Sequence, residues 1–262
     1  MHFTKMHGLG NDYLYVFGET PDDVAALSVR LSERHFGAGS DGMIYISRSE
    51  VADFKMRIFN ADGSEAMMCG NGIRCVGKYV YDKGYTDETH LRIETLSGIK
   101  ELDLTVVHGK VQRVTVQMGK ASVRAEKTLQ IGNEQISYTP VSVGNPHAVI
   151  FTHDAQSVPL ETLGPQIEHH PDFPDGVNAE FVQVLSDTVI RMRVWERGSG
   201  VTMACGTGAC ASVAAAVRKG VCPAGEPIAV RLDGGTLHIT VGADGSVTMT
   251  GPAETVYEGE TV

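Results

Sequence analysis

Cys69-Gly70-Asn71-Gly72 reads as the entry to a helix, a cysteine and a glycine-rich turn followed by an apolar stretch of helical length. The same pattern returns as Cys205-Gly206-Thr207-Gly208. The repeat extends outward on both sides. Lys55-Met56-Arg57-Ile58-Phe59 is echoed by Arg191-Met192-Arg193-Val194-Trp195, and 205 − 69 and 191 − 55 both give 136. Lys83-Gly84 recurs as Lys219-Gly220 at the same offset. Nearer the amino end, Gly10-Asn11 followed by Phe17 matches Gly144-Asn145 followed by Phe151, 134 apart. Four matches in one order mark an internal duplication.

The duplication sets the expected fold. In both copies alternating apolar residues predict a strand ahead of the cysteine, at 53–59 and 189–195, and Lys-Gly supplies a stop signal after the helix. Alternation at 90–96, 102–107 and 111–118 closes the first copy; 228–232, 237–241 and 247–250 close the second. The expected fold class is α+β: two pseudo-symmetric domains, each a mostly antiparallel sheet wrapped around a central helix. Residues 1–117, completed by 251–262, form one domain and residues 118–250 the other. No low-complexity linker joins the halves, so a packed cleft is expected between them rather than a tether.

Composition narrows the partners. A net charge of −10, a pI near 5.4 and no Lys/Arg run longer than two leave no basic footprint for nucleic acid or an anionic membrane. No stretch approaches the roughly 20 apolar residues of a membrane-spanning helix, and residues 1–11 are too polar for a signal-peptide core. A cytoplasmic protein acting on a small molecule is expected. Five cysteines do not suggest a disulfide framework, and they read as free thiols.

Their positions then carry the chemistry. A lone cysteine is more often a small buried hydrophobe, and Cys75, Cys210 and Cys222 keep that reading. Cys69 and Cys205 differ by their glycine context and their repetition. A cysteine just before a helix meets unpaired amides and the positive end of the helix dipole, which favour the thiolate and lower its pKa. The glycines let backbone amides approach an anion, and a carboxylate fits as well as a phosphate. Two such sites on one cleft would hold one carboxylate between two thiols. The reaction class this suggests is removal of a proton from the carbon beside that carboxylate, with return from the other face. Zinc is disfavoured, since the cysteine spacings are not C-x2-C and no H-x3-5-H follows. His169-His170 reads as a solvated loop pair. Neither G-x-G-x-x-G after a strand nor a P-loop occurs, and no lysine stands out for a Schiff base.

At this point the residues resemble the diaminopimelate epimerases over nearly the full chain. The segments that carry the resemblance are His7 to Asp12, Phe59 to Glu65, Cys69 to Gly72, Gly144 to His147, Val177 to Ala179, Glu196 to Gly198 and Ala204 to Cys210. The resemblance implies that Cys69 and Cys205 are the acid/base pair, with His147 and Glu196 tuning them. It implies that Asn11, Asn60, Asn145, Asn178 and Arg197 bind the polar ends of diaminopimelate, while the amides of Gly70-Asn71 and Gly206-Thr207 hold the carboxylate at the reacting carbon. It further implies a homodimer through Tyr257, with neither cofactor nor metal. Gly42 stands where some members carry a ligand-contacting glutamine, so no side-chain contact is expected there. Two alternatives stay open: a proline or hydroxyproline racemase on the same scaffold, and a relative that binds ligand without catalysis. An Asn beside Gly is also a common turn residue, and Glu196-Arg197 could be a surface ion pair.

Overall fold

The structure, a computed structural model, describes residues 1–261, so of the expected closing segment 251–262 the last residue, Val262, lies outside the described residues. The chain divides into two units, residues 1–117 with 251–262, and residues 118–250.

The first unit opens with the hairpin β1 (His2–Gly8) and β2 (Asn11–Phe17), then α1 (Val24–Ser32). β3 (Gly42–Arg48), β4 (Phe54–Asn60) and the two-residue β5 (Glu65–Ala66) lead into α2 (Gly70–Asp82). β6 (His90–Thr95), β7 (Gly98–Val107) and β8 (Lys110–Lys120) follow. The second unit repeats the order: β9 (Ser122–Val123), β10 (Lys127–Ile131), β11 (Glu134–Ser142), β12 (Pro146–Phe151), α3 (Leu160–Glu168), β13 (Asn178–Ser186), β14 (Val189–Glu196), β15 (Gly200–Val201) and α4 (Gly206–Arg218). β16 (Pro227–Leu232), β17 (Gly235–Val241) and β18 (Ser246–Gly251) complete it, and β19 (Glu254–Glu260) returns to pair antiparallel with β1.

The ladders agree between copies. β2 runs parallel to β3 across α1, and β4 parallel to β6 across α2; β12 with β13 and β14 with β16 do the same across α3 and α4. The other ladders whose register is described are antiparallel. The α+β class is as expected, and the parallel pairs are an addition to it: parallel neighbours must be joined by a crossover, here a helix, and each copy has two.

Each sheet wraps its helix. From Gly70 to Val80 only Lys78 of α2 escapes burial, and α4 is buried continuously from Gly208 to Ala216. The run Ala209-Cys210-Ala211-Ser212-Val213-Ala214-Ala215-Ala216 explains how strands can close on every side, because small side chains let them approach. A helix buried all round needs no amphipathic stripe. Cys75 and Cys210 lie inside these helices, fully buried, and burial pushes the Cys75 thiol up to about 11. Arg74 is also fully buried in α2, bonding to Gly70 O, Asn71 Oδ1 and, at 3.1 Å, Pro252 O ahead of β19.

Candidate active site

Each unit presents one cysteine as the N-cap of its central helix. Cys69 and Cys205 have extended backbones, and each sulfur accepts a hydrogen bond at 3.3 Å from the amide three residues on, Gly72 and Gly208. Serine or aspartate commonly fills this position through oxygen; here sulfur does. The amides of Gly70-Asn71 and Gly206-Thr207 open the helices, where no carbonyl four residues back is available within the helix.

In the first unit the Cys69 thiol donates to Asn11 Oδ1 at 3.3 Å. Asn11 is itself held by Asp41, whose Oδ2 accepts from Asn11 Nδ2 at 2.8 Å and from Asp12 N at 3.0 Å. Burial raises the Asp41 carboxyl, against the Asp12 amide that lowers it. Asn60, at the end of β4, pairs with Gly42 across the sheet and donates from Nδ2 to Ser64 Oγ. At Gly42 a Cβ would fall 2.1 Å from Phe59 O, so this backbone leaves no room for any side chain.

In the second unit Thr207 and Glu196 lie against Cys205, with Asn145 bonded to Thr207 and His147 to Asn145. Asn145 donates to Thr207 Oγ1 at 3.3 Å, and its Oδ1 lies 3.0 Å from His147 Nε2. Thr207 Oγ1 is 3.5 Å from Cys205 Sγ. Glu196 accepts from Thr202 Oγ1, and burial raises its carboxyl. Asn178 is buried and spends its amide on backbone, accepting from Arg197 N at 2.9 Å and donating to Pro146 O at 3.1 Å. Arg197 lies exposed, donating to Asp175 O, with its stem against Gly176 at φ +74°.

One expectation needs correction. The helix dipole and amides were expected to lower the pKa of both cysteines, yet the Cys205 thiol lies well above its ordinary value. Burial is the largest cause, followed by the charges of Glu196 and Glu180. The bonds from Thr207 and Gly208 oppose them without prevailing, because a thiolate taken out of water loses more than one amide returns.

Two carboxyls were not anticipated from sequence. Glu180, on β13, is fully buried with Oε1 2.7 Å from His147 Nδ1. Glu168, at the end of α3, accepts from Trp195 Nε1 at 2.7 Å and Gly198 N at 2.8 Å, so it braces the Glu196-Arg197-Gly198 turn from behind. Among the described residues no group of three or more His, Cys, Asp or Glu is arranged to hold a metal ion. No helix there is long and apolar enough to cross a membrane.

The family model described as "Diaminopimelate epimerase" matches residues 3–124 and 139–256. A diaminopimelate epimerase of Acetivibrio thermocellus is 51% identical, covering 99% of this chain and 98% of its own. One from Phocaeicola vulgatus is also 51% identical, over 98% and 97%. This chain belongs to the diaminopimelate epimerase family. Its fold is shared more widely than the epimerase sequence. A probable proline racemase from Agrobacterium radiobacter superposes with a TM-score of 0.75 at 18% identity, covering 100% of this chain and 92% of that one. A hydroxyproline epimerase from Agrobacterium vitis gives 0.73 at 20%, covering 100% and 90%. At such identities the likeness speaks for the scaffold alone, whereas membership of the diaminopimelate epimerases rests on half the residues being the same.

Proposed function

We propose that this protein interconverts LL-2,6-diaminopimelate and its meso isomer by a two-base mechanism without pyridoxal phosphate or metal, supplying lysine and cell-wall precursors. The observation that carries the reading is the repeated N-cap thiol, one on the central helix of each unit, beside amides that suit a carboxylate.

One cysteine, as thiolate, takes the proton from Cα and becomes a thiol. The electron pair left on carbon spreads into the α-carboxylate, which the amides of Gly70-Asn71 and Gly206-Thr207 stabilise. The other cysteine, as thiol, delivers its proton to the opposite face and becomes a thiolate, so the carbon is inverted and the proton count is conserved. His147 and Glu196 set the protonation of the sulfurs. Asn11, Asn60, Asn145, Asn178 and Arg197 hold the remaining polar groups, with Arg197 turning from Asp175 O to the distal carboxylate. Five free thiols suit a reducing cytoplasm. Val256 and Tyr257 lie exposed on β19, which suits a homodimer formed through that strand.

The test is exchange at Cα in heavy water, run with diaminopimelate and separately with proline. Label entering diaminopimelate alone supports the reading; label entering proline alone overturns it.

A further inference from the structure

The duplication allows each cysteine to be compared with its own counterpart. Tyr15 lies opposite Ile44 between β2 and β3, and Val149 opposite Glu180 between β12 and β13. On the other side Ile44 pairs with Ile58, and Glu180 with Val194. Ile44 and Glu180 therefore hold equivalent places, beneath equivalent glycines. A Cβ on Gly72 would lie 2.7 Å from Ile44 Cδ1, and one on Gly208 2.8 Å from Glu180 Oε1. One copy backs its cysteine turn with a methyl group, the other with a carboxyl. His147 likewise stands where the first copy has Tyr13.

Glu180 is not explained by packing. It sits between Ala179 and Phe181 in a buried strand, and its Oε2 has no hydrogen-bond partner among the described residues. A buried carboxyl with an unused oxygen is costly where an isoleucine serves in the duplicate. Its other oxygen meets His147 Nδ1 at 2.7 Å. His147 Nε2 in turn lies 3.0 Å from Asn145 Oδ1.

We propose that Glu180 is a positioning residue that acts across Gly208 to keep Cys205 a thiol in the ligand-free protein. This rests on the two-thiol reading above. The groups acting on Cys205 are Glu196 from β14, Glu180 from β13, and Thr207 and the Gly208 amide from its own helix, while His147 from β12 meets Glu180 and Asn145. Burial and both carboxyls oppose ionisation of the sulfur, and the hydroxyl and amide favour it.

The experiment is the pH dependence of alkylation of Cys205 by iodoacetamide, read by peptide mapping of the ligand-free full chain. Glu180→Gln removes the charge while keeping an oxygen for Nδ1, and the midpoint for Cys205 should fall by about one pH unit. Glu180→Asp, which restores the charge, should return the midpoint toward wild type. An unchanged midpoint in Glu180→Gln overturns the proposal, and so does an aspartate variant that shifts as far as glutamine. If the glutamine variant does not fold, Glu180→Ile, the residue tolerated in the equivalent place, gives the same reading. Alkylation needs no substrate, so its outcome is separate from the exchange assay that tests the function.

Discussion

A cysteine at a helix N-terminus is pulled in two directions, toward the thiolate by amides and dipole and toward the thiol by burial. At Cys205 burial and two carboxyls win. On the proposed mechanism one sulfur takes the proton and the other returns it, so Cys69→Ala and Cys205→Ala should each abolish epimerisation, measured by polarimetry in both directions, with circular dichroism unchanged. Near-normal turnover by either variant would refute the two-base mechanism. Cys75 makes a different prediction. Its folded value of about 11 exceeds an ordinary value near 9, so the folded state holds the proton more tightly. The corresponding stability is fully present below about pH 9 and is lost as pH rises to about 11, roughly 3 kcal/mol over two pH units. Urea midpoints should fall across that window in wild type, and the slope should flatten in Cys75→Ala whatever its cavity costs. The two N-cap cysteines are legible because a repeated CGxG is a pattern. Glu180 was not, because one acidic residue in an apolar strand has no period. Only setting the copies side by side, with Glu180 upon Ile44, exposes it.

Among elements, the helices after the cysteines and the closing strands of each copy could be read from alternation and stop signals. Two kinds of element could not. The run Tyr13-Leu14-Tyr15-Val16-Phe17 is continuously apolar, and periodicity alone does not separate such a strand from a buried helix. α3 has nine residues with Pro165 inside, which reads as a breaker since proline donates no bond to the turn before it. Yet α3 supports the candidate site: Glu168 holds Trp195 and Gly198, and Gly164 lies flat against the indole. A Cβ at Gly164 would come within 2.3 Å of Trp195 Cγ. Gly164→Ala should therefore cost about 1–3 kcal/mol by overpacking. It should also displace the Glu196-Arg197 turn. Thermal denaturation and steady-state kinetics check this together; a variant as stable and as active as wild type would show that α3 merely covers the strand.

At the scale of the molecule, the duplication is complete in outline but not in its connections. The second unit is one continuous stretch, 118–250, whereas the first borrows residues from 251 onward. β19 lies along β1 from His2 opposite Glu260 to His7 opposite Glu254, and Arg74 waits in the core for Pro252 O. During synthesis this reverses the usual order, in which the domain nearest the amino terminus finishes first. As the ribosome extends the chain, residues 1–117 emerge early with an open strand edge and before the Arg74 bond to Pro252 O can form. They must hold that state while 118–250 is made and folds as a closed unit. A chain halted after Thr250 should show it: limited proteolysis should cut within residues 1–117 well before 118–250, and equal resistance of both would deny it. The segment made after residue 250 is thus the one that lets the first-made half finish folding, and an open β1 edge until then is a site for pairing with another nascent chain.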